Sequence, residues 1–75
     1  MPKYSLEFVL ETHGISDTTI KNYIREFGEG LEIKDCDDDG KSRNFKICIL
    51  TEDPTIVFDA CAQFGRIKSV KVGEL

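Results

Sequence analysis

Hydrophobic and polar side chains alternate along residues 4–11 (YSLEFVLE). An alternation of period two predicts a β-strand that buries one face and exposes the other. The same pattern recurs at residues 31–36 (LEIKDC), 43–51 (RNFKICILT) and 66–75 (RIKSVKVGEL). The sequence therefore predicts four half-buried strands.

Two stretches between these strands carry apolar residues at helical spacing. The first, residues 16–27, begins at Ser16 or Asp17, either of which can cap a helix N-terminus. The second, residues 54–64, follows Asp53 as the cap and places Pro54 in the first turn. The predicted buried positions of the two helices are Ile20, Tyr23, Ile24, Phe27, Ile56, Val57, Ala60, Cys61 and Phe64. The glycine after each pattern, Gly28 or Gly65, is predicted to end the helix.

The element order β-α-β-β-α-β predicts an α+β fold of the ferredoxin-like kind, with a four-stranded antiparallel sheet covered on one face by two helices. Right-handed crossovers place the first and third strands in the middle. A chain of 75 residues has room for one such domain, residues 1–75, with a thin core.

The stretch DCDDDGK at residues 35–41 joins the second and third strands and has two interpretations. Asp35, Asp37 and Asp39 alternate as in a calcium-binding EF-hand loop, but the twelfth position of that loop, which needs a glutamate, is Lys46. A hairpin turn with Gly40 in the left-handed conformation explains the glycine without metal. We therefore predict no dedicated metal site, with weak cation binding as the alternative.

Side-chain parity fixes which residues of this hairpin share a face. A three-residue loop, residues 38–40, would place Ile33 opposite Phe45 and Leu31 opposite Ile47. We predict this register for the hairpin.

Charge and cysteine content narrow the partners and the compartment. A net charge of −4 disfavours a polyanion. The three cysteines are odd in number and widely spaced, which fits free thiols in a reducing cytoplasm rather than a disulfide framework or a zinc site. No apolar run is long enough to span a bilayer, so no membrane association is expected.

The loop between the first strand and first helix is the candidate ligand site. His13 is the only histidine, and no serine or cysteine nucleophile is evident beside it, so we predict no enzymatic activity and no cofactor. The backbone N–H groups of Gly14, Ile15 and Ser16 lie at a predicted helix N-terminus, where an anion could bind.

The sheet face away from the helices is the candidate interface. Val9, Cys48 and Leu50 form a small apolar island there, and Ile67 joins it if its opposite phase to Val70 and Val72 reflects exposure rather than a bulge. The predicted face has no aromatic side chain to stack on bases, so we expect no nucleic-acid binding. An ordinary solvated sheet face is the alternative.

The sequence resembles the ACT family of small regulatory domains. The similarity lies in LETHGISDTTIKNYI (residues 10–24), FGEGLEIKDC (27–36) and FDACAQFGRIKSVKVGEL (58–75). The resemblance implies the same β-α-β-β-α-β plan, pairing of sheets or helices between subunits, and a ligand near His13, Gly14 and Ile15. The family usually carries Asp or Asn with Pro before the loop glycine, where this chain has Thr12 and His13.

Together these patterns lead us to expect a non-enzymatic cytoplasmic module that acts through a protein partner or weak self-association. The alternative is a sensor domain that binds a small anionic metabolite or an amino acid at the first loop.

Overall fold

The computed structural model describes residues 1–38 and 42–75, with the side chains of residues 37 and 38 outside the description. Its elements are β1 (Tyr4–Thr12), α1 (Asp17–Ile24), a 3-10 turn (Arg25–Phe27), β2 (Glu29–Asp38), β3 (Arg43–Thr51), α2 (Pro54–Ala62) and β4 (Gly65–Glu74). The fold is α+β, with one four-stranded antiparallel sheet and two helices. The strand order β2-β3-β1-β4 places β1 and β3 in the middle, as predicted.

The core lies between the sheet and the two helices. Alternate residues of β1 and β3 point into it and meet apolar side chains of α1 and α2. Phe8 is 1% exposed and packs edge to face against Phe58, with ring centroids 5.4 Å apart. The fully or almost fully buried apolar residues are Leu6, Phe8, Leu10, Ile20, Ile24, Phe45, Ile47, Ile49, Val57, Ala60 and Cys61.

Both predicted helix starts are confirmed. The Ser16 hydroxyl accepts a hydrogen bond from the Thr19 N–H at 3.2 Å, and the Asp53 carboxylate accepts from the Thr55 N–H at 3.0 Å. Each bond satisfies one of the backbone donors that a helix N-terminus leaves without a partner.

The role predicted for Gly28 is wrong. It is extended, with φ −175°, and does not form a left-handed helix cap. A side chain here would collide with the Leu50 carbonyl oxygen and the Ile49 side chain, so glycine lets the turn before β2 approach β3 closely.

The apolar stripe of α2 also differs from the prediction. Val57, Ala60 and Cys61 are buried, but Ile56 is 45% exposed. Phe58, which the predicted stripe left out, fills the place against the sheet. The helix ends at Ala62, two residues before the predicted end.

The predicted register of the β2–β3 hairpin is wrong by two positions. Ile33 lies opposite Ile47 rather than Phe45, and Asp38 pairs with Arg43 inside the strands. The difference arises at the end of the hairpin, where Asp38 pairs with Arg43 and four residues rather than the predicted three separate the last pair. An extra β2 residue between Asp35 and Asp37 then moves the register back by one position. The predicted turn residues Asp39 and Gly40 lie outside the described residues.

Candidate functional site

The sheet face away from the helices carries the predicted interface, and we call it the open face. β1 and β3 supply its two central columns, which are Ser5, Glu7, Val9, Glu11, Asn44, Lys46, Cys48 and Leu50. In the described part of the chain, the helices pack on the opposite side of the sheet. Val9, Cys48 and Leu50 lie on this face as predicted, and all three are half-buried.

Ile67 does not lie on the open face, so its predicted place in the interface is wrong. It stands opposite Leu10, a core residue, and packs against the core cluster. The cause is a β-bulge in β4. Between the regular pairs Glu7–Lys71 and Val9–Lys68, the single β1 residue Phe8 lies opposite two β4 residues, Ser69 and Val70. Ser69 takes φ 55°, and this extra residue brings Ile67 into phase with the core.

Lysines surround Val9 on the open face. Val9 lies opposite Lys46 on β3 and opposite Lys68 on β4, and Lys46 in turn lies opposite Lys34 on β2. Because residues in register share a face, these four side chains form one row across the sheet. The row places three positive charges around a single apolar residue.

Two glutamates of β1 neutralise much of this charge. Glu7 binds Lys46 at 3.2 Å and Lys71 at 3.6 Å, and Glu11 lies 3.7 Å from Lys68. The Glu11 carboxylate also accepts a hydrogen bond from the Ser42 hydroxyl at 3.3 Å. The glutamates are therefore held in place by neighbours on three strands or loops.

These ion pairs shift the acidity of their members. The Lys46 ammonium, by its hydrogen bond and its charge, lowers the pKa of Glu7. The same contact raises the pKa of Lys46. Both side chains therefore stay charged across the neutral range.

The cysteines lie in three different environments, and the structure records all three as free thiols. Cys48 lies 3.9 Å from a Glu7 oxygen, and burial together with that carboxylate raises its thiol pKa. Burial in the core raises the pKa of Cys61 to about 12. A thiol with a raised pKa is a poor nucleophile, so neither cysteine has the environment of a catalytic one.

The first loop leads into α1, and the side-chain hydrogen bonds described at this helix start use the N–H groups of Thr18 and Thr19, which follow the predicted donors Gly14, Ile15 and Ser16. Gly14 takes φ 70° and has no atom within 4 Å of the place where a side chain would begin. Ser16 accepts from the Thr19 N–H, and the Asp17 carboxylate accepts from the Thr18 N–H at 2.9 Å. Asp17 also brings a negative charge to the helix N-terminus, which opposes an anionic ligand.

The remaining residues around this loop do not form a deep site. His13 and Ser16 are exposed, and Ile15 is half-buried against the core. Thr12, which precedes the loop, is fully buried, and its hydroxyl has no hydrogen-bond partner in the part of the chain that is described.

The acidic stretch before the hairpin turn is described only in part. Both oxygens of the Asp35 carboxylate lie 3.2 Å from the Arg43 guanidinium, which in turn sits over the Phe45 ring at 5.1 Å. Asp39 lies outside the described residues, as does the side chain of Asp37. Asp35 thus already has a cationic partner of its own.

A groove that the sequence did not indicate lies at one end of the sheet, next to Leu50. It has a volume of about 470 Å³ and is bounded by the chain start, the turn before β2, and the turn between β3 and α2. The exposure of Ile56, a hydrophobic residue in the first turn of α2, is its clearest local sign. Four carboxylates line it, and they are Glu26, Glu29, Glu52 and Asp53.

No protein-family model and no curated protein matched the chain.

Neither helix in the described ranges has the length and apolar character needed to cross a bilayer.

Proposed function

We propose that this chain is a non-enzymatic protein-binding module that docks a partner on its open face. In this proposal the fold is ferredoxin-like, the architecture resembles that of ACT regulatory domains, and the protein works in the cytoplasm, where its thiols stay reduced. The strand order and the packing of both helices against one core support the architectural part.

The proposal rests on the ion pairs that surround the half-buried residues Val9 and Cys48 on the open face. Glu7 is bound by Lys46 and Lys71, and Glu11 by Lys68. A partner that covers Val9 and Cys48 therefore need not leave these carboxylates without a cation, which is the main cost of burying charge. The open face can lose its water at lower cost than a surface of unpaired charges.

The partner that fits this face is a protein surface rather than a nucleic acid. The central columns offer aliphatic and thiol groups but no aromatic ring on which a base could stack. Mixed charges around a small apolar centre resemble the polar rim and apolar core of protein–protein interfaces.

A sensor of an anionic metabolite at His13, Gly14, Ile15 and Ser16 takes second place. Asp17 stands at the same helix N-terminus, and the N–H groups of Thr18 and Thr19 already donate to side chains. An anion held by the N–H groups of Gly14, Ile15 and Ser16 would therefore find the following donors of the helix start already bonded and a carboxylate nearby.

Affinity capture with a matched pair of variants tests the proposal. The wild type, Val9→Lys and Val70→Lys are each immobilised and exposed to lysate of the source organism, after circular dichroism has confirmed that all three fold. Val70 is 48% exposed on the edge strand β4 and serves as the control. We expect at least one protein to be retained by the wild type and Val70→Lys but lost with Val9→Lys.

Titration of that purified protein into the 15N-labelled chain then locates the contact. We expect amide shift changes in residues 5–11 and 46–50. A panel of amino acids and nucleotides is titrated in parallel. The proposal would be overturned if Val9→Lys retained every protein that the wild type retains. Shift changes confined to residues 13–16 on addition of a metabolite would favour the sensor instead.

A further inference from the structure

The groove beside Leu50 is held open by hydrogen bonds beneath it. Thr51 is buried, with 2% of its surface exposed. Its hydroxyl donates a hydrogen bond to the Phe27 carbonyl at 2.8 Å and accepts one from the Asp53 N–H at 3.1 Å. One side chain thus ties the turn before β2 to the turn before α2. A site formed in advance loses less entropy when it binds.

Apolar side chains and carboxylates share this groove. Phe27 is half-buried against the core, Leu50 reaches it from the open face, and Ile56 is 45% exposed. Glu26, Glu29 and Glu52 are exposed carboxylates around them. Among the described residues that line the groove, the Met1 ammonium is the one cationic group.

One of these carboxylates has a cationic partner in the structure, since the Met1 ammonium lies 2.5 Å from the Glu52 Oε1 atom. Among the described residues, no ion pair is recorded for Glu26 or Glu29. These two exposed carboxylates are therefore available to cations of a partner.

We infer that this groove is a docking site for a basic, amphipathic segment of a protein partner, in which lysine or arginine side chains alternate with an aliphatic residue. Charge complementarity selects this occupant, because an acidic segment or a polyanion would meet at least three carboxylates. The aliphatic residue would cover Ile56 and Phe27, and the cations would reach Glu26 and Glu29. The inference is separate from docking on the open face, although Leu50 borders both.

Blocked pentapeptides provide the probe. The acetylated and amidated sequence Gly-Lys-Leu-Lys-Gly is titrated into the 15N-labelled full chain, beside the sequences with both lysines replaced by glutamate or with leucine replaced by serine. We expect the basic leucine peptide to shift the amides of Phe27, Gly28, Glu29 and Ile56 the most. Raising the salt concentration should weaken the effect, because exposed charges are screened.

A charge-neutralised variant and a matched control decide whether the groove carboxylates are responsible. Glu26→Gln with Glu29→Gln should raise the dissociation constant roughly fivefold, as expected for two exposed ion pairs. Asp17→Asn with Asp59→Asn removes the same charge from exposed helix positions outside the groove and should leave the constant unchanged. Asp53 is left intact because it caps α2.

Several results would overturn the inference. They are equal binding of the acidic peptide, equal weakening by both double variants, and the absence of groove shifts at millimolar peptide. Shifts confined to residues 5–11 and 46–48 would also overturn it while leaving the open face as a docking surface. The Val9→Lys variant keeps the two questions apart, since it should bind the basic peptide like the wild type.

Discussion

Two buried threonines stand at the ends of the central strands and differ in the partners of their hydroxyl groups. Thr12 ends β1 and is fully buried, and its hydroxyl has no partner among the described residues. Thr51 ends β3, and its hydroxyl joins Phe27 and Asp53. A buried hydroxyl costs free energy when it is unpaired and stabilises the fold when it is paired.

Replacement of each threonine by valine should therefore change the free energy of unfolding in opposite directions. Thr12→Val removes a hydroxyl without a partner and keeps the β-branched shape, so we expect a gain of about 1 kcal/mol. Thr51→Val leaves the Asp53 N–H without its acceptor, so we expect a loss of about 1–3 kcal/mol. Urea denaturation measures both through the midpoint at constant slope. Equal losses in the two variants would contradict this account.

At the scale of single residues, the sequence predicted what depends on local chemistry. Ser16 and Asp53 cap the helices as expected, because a cap needs only its own side chain and the next three N–H groups. Gly28 was misjudged, since its role depends on Leu50 and Ile49, which are distant in the chain. No local pattern carries that information.

At the scale of elements, side-chain parity was predicted for β2 but not for β4, and register was predicted for neither. Leu31 and Ile33 of β2 pack on the core as their period of two indicates, whereas Val70 and Val72 of β4 are 48% and 52% exposed and Ile67 packs on the core instead. The pairing of β2 shifts register twice and that of β4 once. In β4 the phase of Ile67 signalled the bulge, whereas the acidic residues around Cys36 give no such signal. The groove near Leu50 was not predicted for a related reason, as segments far apart in sequence line it.

The ion pairs that join β1 to β3 and β4 make a prediction about pH. The pKa of Glu7 is lowered in the folded chain, so its contribution to stability is present above the pKa of the unfolded chain and is lost as pH falls through the folded value. The pKa of Lys46 is raised, so its contribution is present below the unfolded pKa and is lost as pH rises through the folded value. The Glu7–Lys46 ion pair therefore stabilises the fold at pH values between the folded-state pKa of Glu7 and that of Lys46.

Glu7→Gln should therefore lose stability at neutral pH, and its difference from the wild type should shrink as the pH falls below about 4. Thermal unfolding of both proteins from pH 7 to pH 3 measures this difference. Asp59→Asn is the control. Asp59 is an exposed residue of α2 for which no ion pair is recorded among the described residues, so the stability difference between this variant and the wild type should not follow that of Glu7→Gln. A Glu7→Gln difference that stays constant with pH would show that the ion pairs do not stabilise the fold.

At the scale of the whole molecule, the open face and the two edge strands are the surfaces available for self-association. The irregularities in β2 and β4 lie on the edge strands, and such features discourage edge-to-edge pairing. The half-buried island of Val9, Cys48 and Leu50 is small compared with the roughly 1,200 Å² that a stable complex buries. Any dimer should therefore be weak and form through the open face.

We expect a concentration-dependent dimer that Leu50→Lys disrupts without unfolding the chain. Sedimentation equilibrium of the wild type, Leu50→Lys and Val72→Lys measures this, with Val72, 52% exposed on β4, as the edge control. Dissociation by Leu50→Lys alone supports the open face. A monomer at every concentration in all three proteins would remove self-association, and dissociation by Val72→Lys alone would move the contact to the edge.

The bulge at Ser69 also affects how distant relatives of this chain would align with it. A protein with an unbulged fourth strand would be one residue shorter there, so its residues equivalent to Ile67 and Val72 would match only across a gap after Lys68. Alignment schemes usually penalise gaps inside strands, and an ungapped match would set a residue on the core side of the sheet, such as Val72, against an outward-facing lysine. Similarity to such proteins would be underestimated over the end of β4, residues 69–74, unless that single insertion were allowed.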